Sequence, residues 1–120
     1  MKIITNNPLV KTELGKREDV EILYMDITYR EILTYVRDMV HQGYILLTHP
    51  LSGSVKPNEN RYRSIGLSDR PGKSLDFKSL EIIESAIVTF DKFKPKNMVV
   101  ADRIINDMQF IDYTLISSVF

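Results

Sequence analysis

The stretch that decides the fold runs from Val20 to Leu47 and reads VEILYMDITYREILTYVRDMVHQGYILL. Val20 to Met25 is short and mostly apolar, which predicts a strand. Thr28 and Glu31 then stand at capping-box spacing, with Ile27 and Ile32 placed to form a hydrophobic staple across the helix start. Tyr29, Ile32, Leu33, Val36, Met39 and Val40 recur on one helical face, while Arg30, Glu31, Arg37, Asp38 and Gln42 fall on the other. Gly43 supplies the C-terminal stop. Tyr44 to Leu47 is again a brief apolar run of strand length. Strand, helix and strand joined in this way predict a right-handed crossover between parallel strands, and therefore an α/β fold.

Towards the N-terminus, Lys2 to Thr5 reads as a first strand. Asn7 before Pro8 then carries a helix start, because Asn caps free amide groups and Pro at the first helical position lacks one. A short helix follows, ending at Gly15. Towards the C-terminus, Tyr62 to Ser68 alternates like a fourth strand, with Ile65 and Leu67 on one side. Ser74 or Asp76 caps a helix bearing Leu80, Ile83, Ala86, Ile87 and Phe90. A closing helix carries Ile104, Met108, Ile111, Leu115 and Val119 at steps of three and four, with its start open because Met98 to Val100 also reads as a brief strand. The expected architecture is one α/β domain over residues 1–120, with about four mainly parallel strands flanked by helices. A Rossmann-like order 3-2-1-4 would set Asn6 and Asn7 beside the loop after Leu47, at a switch point. The long link before the fourth strand also permits antiparallel pairing there.

Composition sets the outer limits. A chain of 120 residues is long enough to bury a core without a disulfide or metal staple. Sixteen basic and sixteen acidic side chains cancel, so no strong overall field attracts nucleic acid or an anionic membrane. Between Thr48 and Lys73, however, five basic residues face two acidic ones. The absence of cysteine excludes thiol redox chemistry and Cys-based zinc sites. With no apolar segment of spanning or leader type, the expected location is the cytoplasm.

The candidate site is the loop Thr48 to Asn58, THPLSGSVKPN, which lies beyond the carboxyl end of the expected third strand. Backbone amides around Leu51, Ser52, Gly53 and Ser54 can form a nest, the Thr48 and serine hydroxyls can donate, and Lys56 adds a positive charge. Asn6 and Asn7 would complete this anion or amino-acid site from the first strand, although capping accounts for one of them. His49 is the candidate acid or base, and it serves equally well as a conformational residue before Pro50. Arg61, Arg63 and Arg70 can clamp an anion or line a solvated strand edge. Asp112, set in an apolar run, reads as a carboxylate held by structural hydrogen bonds. The spacing matches neither nucleotide-binding glycine fingerprint, and no metal-ligand spacing or nucleophile elbow is present, so neither cofactor nor metal is expected.

Four segments together carry a family resemblance: ITNNPLV at Ile4 to Val10, VRDMVHQGYILLTHPLSGSVKPN at Val36 to Asn58, YRSIGLS at Tyr62 to Ser68, and DMQFIDYTLI at Asp107 to Ile116. In these the chain resembles the GrdX-type proteins, small proteins encoded alongside glycine, sarcosine and betaine reductase components of anaerobic amino-acid fermenters. The resemblance implies an accessory role in such a system and transfers no catalytic residues. The reductases work through selenocysteine, thiols and acetyl phosphate formation. A chain without cysteine cannot relay electrons through thiols, but it can bind an amino acid, a phosphate-bearing intermediate or a reductase subunit. Three functions follow as expectations: a small-anion or amino-acid binder, a module docking on a reductase component or on a second copy of itself, and a small enzyme using His49.

Overall fold

The computed structural model describes residues 1–51, 56–94 and 101–120. Its order is β1 (Lys2–Thr5), α1 (Pro8–Leu14), β2 (Glu21–Tyr24), α2 (Tyr29–His41), β3 (Ser64–Leu67), α3 (Phe77–Asp91) and α4 (Asp102–Ser117). The helices start where side-chain oxygens satisfy the first free amides. Asn7 Oδ1 accepts from Leu9 N at 3.0 Å, Thr28 and Glu31 close the capping box at 3.1 Å each way, and Asp76 accepts from Ser79 N at 3.2 Å. Only α4 begins without such a cap among the described helices, at Ala101.

The strands form a three-stranded sheet in the order β2-β1-β3. β1 pairs parallel with β2, Ile3 opposite Ile22, and antiparallel with β3, Ile4 opposite Ile65. Alternation along the strands sends side chains to two cores. Ile4, Ile65 and Leu67 pack with α2 and α3, around Ile32, Leu33, Val36, Val40, Ile83 and Ile87. On the other face Ile3 joins Val10 and Leu14 of α1 and Ile116 of α4. The result is a helix pair on each face of a short mixed sheet, the layering expected of an α/β domain.

Two expectations need correction. Among the described residues the architecture has three strands, not four mainly parallel ones, and Tyr44 to Leu47 is not a parallel edge strand beside β2. It runs along the opposite edge, beside β3, with a single antiparallel bridge between Leu46 and Leu67. The cause is visible at Gly43, which takes φ 107° and whose carbonyl accepts from Gly72 N at 2.8 Å. That bond ties the exit of α2 to the segment following β3, and a Cβ on Gly43 would lie 2.6 Å from Gly72 O. Beside two backbone bonds to the β3 segment, Leu47 N to Gly66 O and Ser68 N to Ile45 O at 2.9 Å each, side-chain hydroxyls take further places. Ile45 N donates to Ser68 Oγ, Leu46 N to Ser79 Oγ, and Gly66 N to Thr48 Oγ1, at 2.9, 2.9 and 2.8 Å. The order 3-2-1-4 is therefore replaced by one in which the crossover segment sits outside β3.

The closing helix is also rotated from its expected setting. Of its periodic apolar residues only Met108 is buried, alongside Asp112 and Ile116. Ile104, Ile111, Leu115 and Val119 are exposed. The polar residue decides the orientation: Asp112 is drawn inward by donors on the sheet, and the apolar stripe turns with it. Met98 to Val100, the stretch that also read as a brief strand, lies outside the described residues.

Candidate functional site

The carboxyl ends of the parallel strands β1 and β2 open on a cleft of about 650 Å³, a volume typical of small-molecule sites. One wall is residues 26–31, the link from β2 into the first turn of α2. The other is Pro57, Asn58 and residues 60–62, ahead of β3, with Phe90 of α3 closing one side. Asn6, the residue after β1, holds the two walls together. Its Nδ2 donates to Ile27 O and to Arg61 O, both at 2.9 Å, and its Oδ1 accepts from Arg63 N at 2.8 Å.

Half of the cleft's charged side chains are already engaged. Arg30 grips Asp91 through Nε and Nη2 at 2.9 and 3.1 Å, which holds the Asp91 carboxyl below its ordinary range. Glu31 is occupied by the capping box. Asp26 and Arg61 have no hydrogen-bonded or ionic side-chain partner among the described residues. Asn58 donates through Nδ2 to Lys94 O at 3.0 Å, whereas its Oδ1 is buried without a hydrogen-bond partner among the described residues.

Behind the cleft lies a buried polar cluster. Asp112, 1% exposed, accepts from Ser64 N at 2.9 Å, Ser64 Oγ at 2.7 Å and Asn7 Nδ2 at 3.0 Å. The Arg63 guanidinium stands 4.0 Å away and donates to Pro50 O at 2.9 Å and to His49 O. Arg63, read from the sequence as either an anion clamp or part of a solvated strand edge, is buried and fastens the start of the 48–58 loop to the sheet. A chamber of about 10 Å³, the room of one water molecule, lies among Lys56, Tyr29, Tyr62, Arg63 and Asp112.

Tyr29 faces both the chamber and the cleft and stacks tilted on Phe90 with ring centroids 5.0 Å apart. Burial pushes its phenol up from 10.0 to about 12; the Arg63 guanidinium opposes the rise and the Asp112 carboxylate adds to it. The fold therefore favours the neutral phenol. Below pH 10 both folded and unfolded chains keep the proton and this contribution is intact. Between pH 10 and 12 the unfolded chain releases it first, so stability falls, by on the order of 2–3 kcal/mol. Urea midpoints across this range should show the loss in the wild type and a shallower one in Tyr29→Phe. Identical alkaline limbs would assign the loss to other groups.

The residues expected to form the site are distributed as follows. Asn6 lines the cleft but spends its amide on the walls, and Asn7, 0% exposed, faces the opposite side of the sheet, donating to Asp112 and to Gln109 O at 2.9 Å. Thr48 bonds Gly66 N. His49 is exposed, with Nδ1 accepting from Leu51 N at 3.0 Å. Lys56 is exposed and lines the chamber. Ser52, Gly53 and Ser54 lie outside the described residues. Sequence reasoning passed over Asp26, Tyr29 and Tyr62 as site residues. For Asp26 and Tyr29 the signal was position alone, since residues past the carboxyl end of a strand border such clefts whatever their type.

The class of protein this geometry defines is a small α/β domain with a ligand-sized cleft at the carboxyl ends of its parallel strand pair. The chain belongs to the GrdX-like protein family, whose model matches residues 2–120. No curated protein and no solved structure matches it significantly. Among the described residues no helix is long and apolar enough to cross a membrane.

Proposed function

We propose that this protein is a cytoplasmic accessory component of a glycine, sarcosine or betaine reductase system that binds a small anion or amino-acid-like ligand where the 48–58 loop meets the cleft. The observation that carries the reading is the position of the cleft, at the carboxyl ends of β1 and β2, where open α/β sheets take their ligands. Lys56 stands next to it across walls that Tyr29, Asn60 and Tyr62 share with the chamber. Membership of the GrdX-like family supports the link to the reductase system.

Calorimetric titration with glycine, inorganic phosphate and acetyl phosphate tests this. Saturable heat from at least one of them, reduced in Lys56→Ala, is expected. Equal heats from wild type, Lys56→Ala and His49→Ala would remove the loop from the site.

A second reading has its own support in the exposed side chains of α4, among them Phe110 at 59% and Ile111 at 43%. In this reading the helix docks on a reductase subunit, or on a second copy of the chain. Capture of purified reductase subunits that survives Lys56→Ala and fails in Ile111→Asp would favour docking over ligand binding.

A further inference from the structure

The cleft leaves two opposite charges unanswered. Among its ionic side chains Arg30 is taken by Asp91 and Glu31 by the Thr28 amide, while Asp26 and Arg61 have no partner among the described residues. They stand on opposite walls, yet their backbones are tied close together, because one nitrogen of Asn6 reaches both Ile27 O and Arg61 O at 2.9 Å. Even so, no ion pair joins the two side chains. A carboxylate on one wall and a guanidinium on the other, with no ion pair between them, are complementary to a molecule that carries an ammonium group and a carboxylate together. An ammonium has three donors and no acceptor, and a carboxylate accepts the guanidinium fork.

The size and lining of the cleft restrict the ligand further. The cleft, at about 650 Å³, lies within the range of roughly 300–1,000 Å³ that encloses drug-sized ligands. That leaves room for a zwitterion with carbon between or beside its charges. Tyr29, Tyr62 and Phe90 supply apolar surface for that carbon.

We infer that the cleft selects a zwitterionic amino acid, with the ammonium group at Asp26 and the carboxylate at Arg61, and does not select a simple anion. This rests on the ligand-binding reading above and narrows it to one chemical class.

The test uses the intact chain and a series in which charge separation grows: glycine, β-alanine and γ-aminobutyrate. N-acetylglycine, which lacks the ammonium, propylamine, which lacks the carboxylate, and inorganic phosphate are the contrasts. At least one zwitterion should bind, with the contrasts silent. Asp26→Asn and Arg61→Gln, both exposed positions where folding is undisturbed, should each weaken that zwitterion by roughly tenfold or more, the ratio a lost charge-assisted hydrogen bond produces. Phosphate or N-acetylglycine binding as tightly as every zwitterion would overturn the inference and leave an anion site standing. A zwitterion whose affinity is unchanged in both variants would overturn the placement at Asp26 and Arg61. Silence from all six probes would overturn both the inference and the reading beneath it.

Discussion

Asp112→Ala is expected to lower folding stability by about 3–5 kcal/mol, the range for removing one member of a buried charge pair. The carboxylate is the meeting point of three elements. It accepts from Ser64 N and Ser64 Oγ of β3 and from Asn7 Nδ2 at the head of α1, while itself belonging to α4. Alanine would leave the Ser64 amide and one hydrogen of Asn7 Nδ2 unmet, each a penalty of about 1–3 kcal/mol where water cannot reach, and would leave Ser64 Oγ with Thr5 Oγ1 alone. It would also strip the Arg63 guanidinium of its nearest anion. Against a total stability of roughly 5–15 kcal/mol for a domain of this kind, the variant would be close to unfolded at ordinary temperature. Ser64→Ala should be milder, about 1 kcal/mol, since Asp112 keeps its other donors and Thr5 Oγ1 loses only the hydroxyl at 2.6 Å. Urea midpoints for the two variants provide the comparison. A loss below about 1 kcal/mol in Asp112→Ala would mean that water enters and satisfies the cluster, and that α4 is held by its apolar contacts alone.

This cluster also shows which parts of the molecule were legible in the sequence. Capping and amphipathic period are local, and they located α1, α2 and α3 with their buried faces, because neighbouring residues decide both. The parallel crossover, read for Val20 to Leu47, is found instead between β1 and β2 through α1. What the sequence could not disclose was any choice made between distant residues. Tyr44 to Leu47 has the composition of a strand, but the Gly43 to Gly72 bond and the hydroxyls of Ser68, Ser79 and Thr48 decide its course, at separations of eighteen to thirty-three residues. The orientation of α4 likewise depends on Asp112 meeting Asn7 across 105 positions, and apolar period misled because it assumed the apolar stripe faces inward. The candidate site was readable only as a region. Loop composition pointed to Thr48 to Asn58, but the opposite wall came from residues 26–31, which as a sequence look like nothing more than a helix start.

Asn6→Asp should be the most damaging substitution at the cleft, although it changes a single atom. Asparagine offers two N–H donors and one acceptor here, and all are used: Nδ2 to Ile27 O and Arg61 O, Oδ1 from Arg63 N. Aspartate keeps the acceptor and replaces the donors with an oxygen facing two carbonyl oxygens, at a residue 5% exposed. Two lost bonds and a buried charge without a counter-ion predict a loss of about 3 kcal/mol or more at neutral pH. Asn6→Ala should cost less, because it leaves the carbonyls unpaired without opposing them. Acidification should partly rescue the aspartate variant alone, since a protonated carboxyl regains one of the two missing donors. Asn6→Ala should also speed hydrogen exchange at the Arg63 amide, whose acceptor it removes. If Asn6→Asp matched the wild type in stability, the walls would be held by something other than this amide. The spacing of Asp26 and Arg61 would then no longer be fixed by the fold.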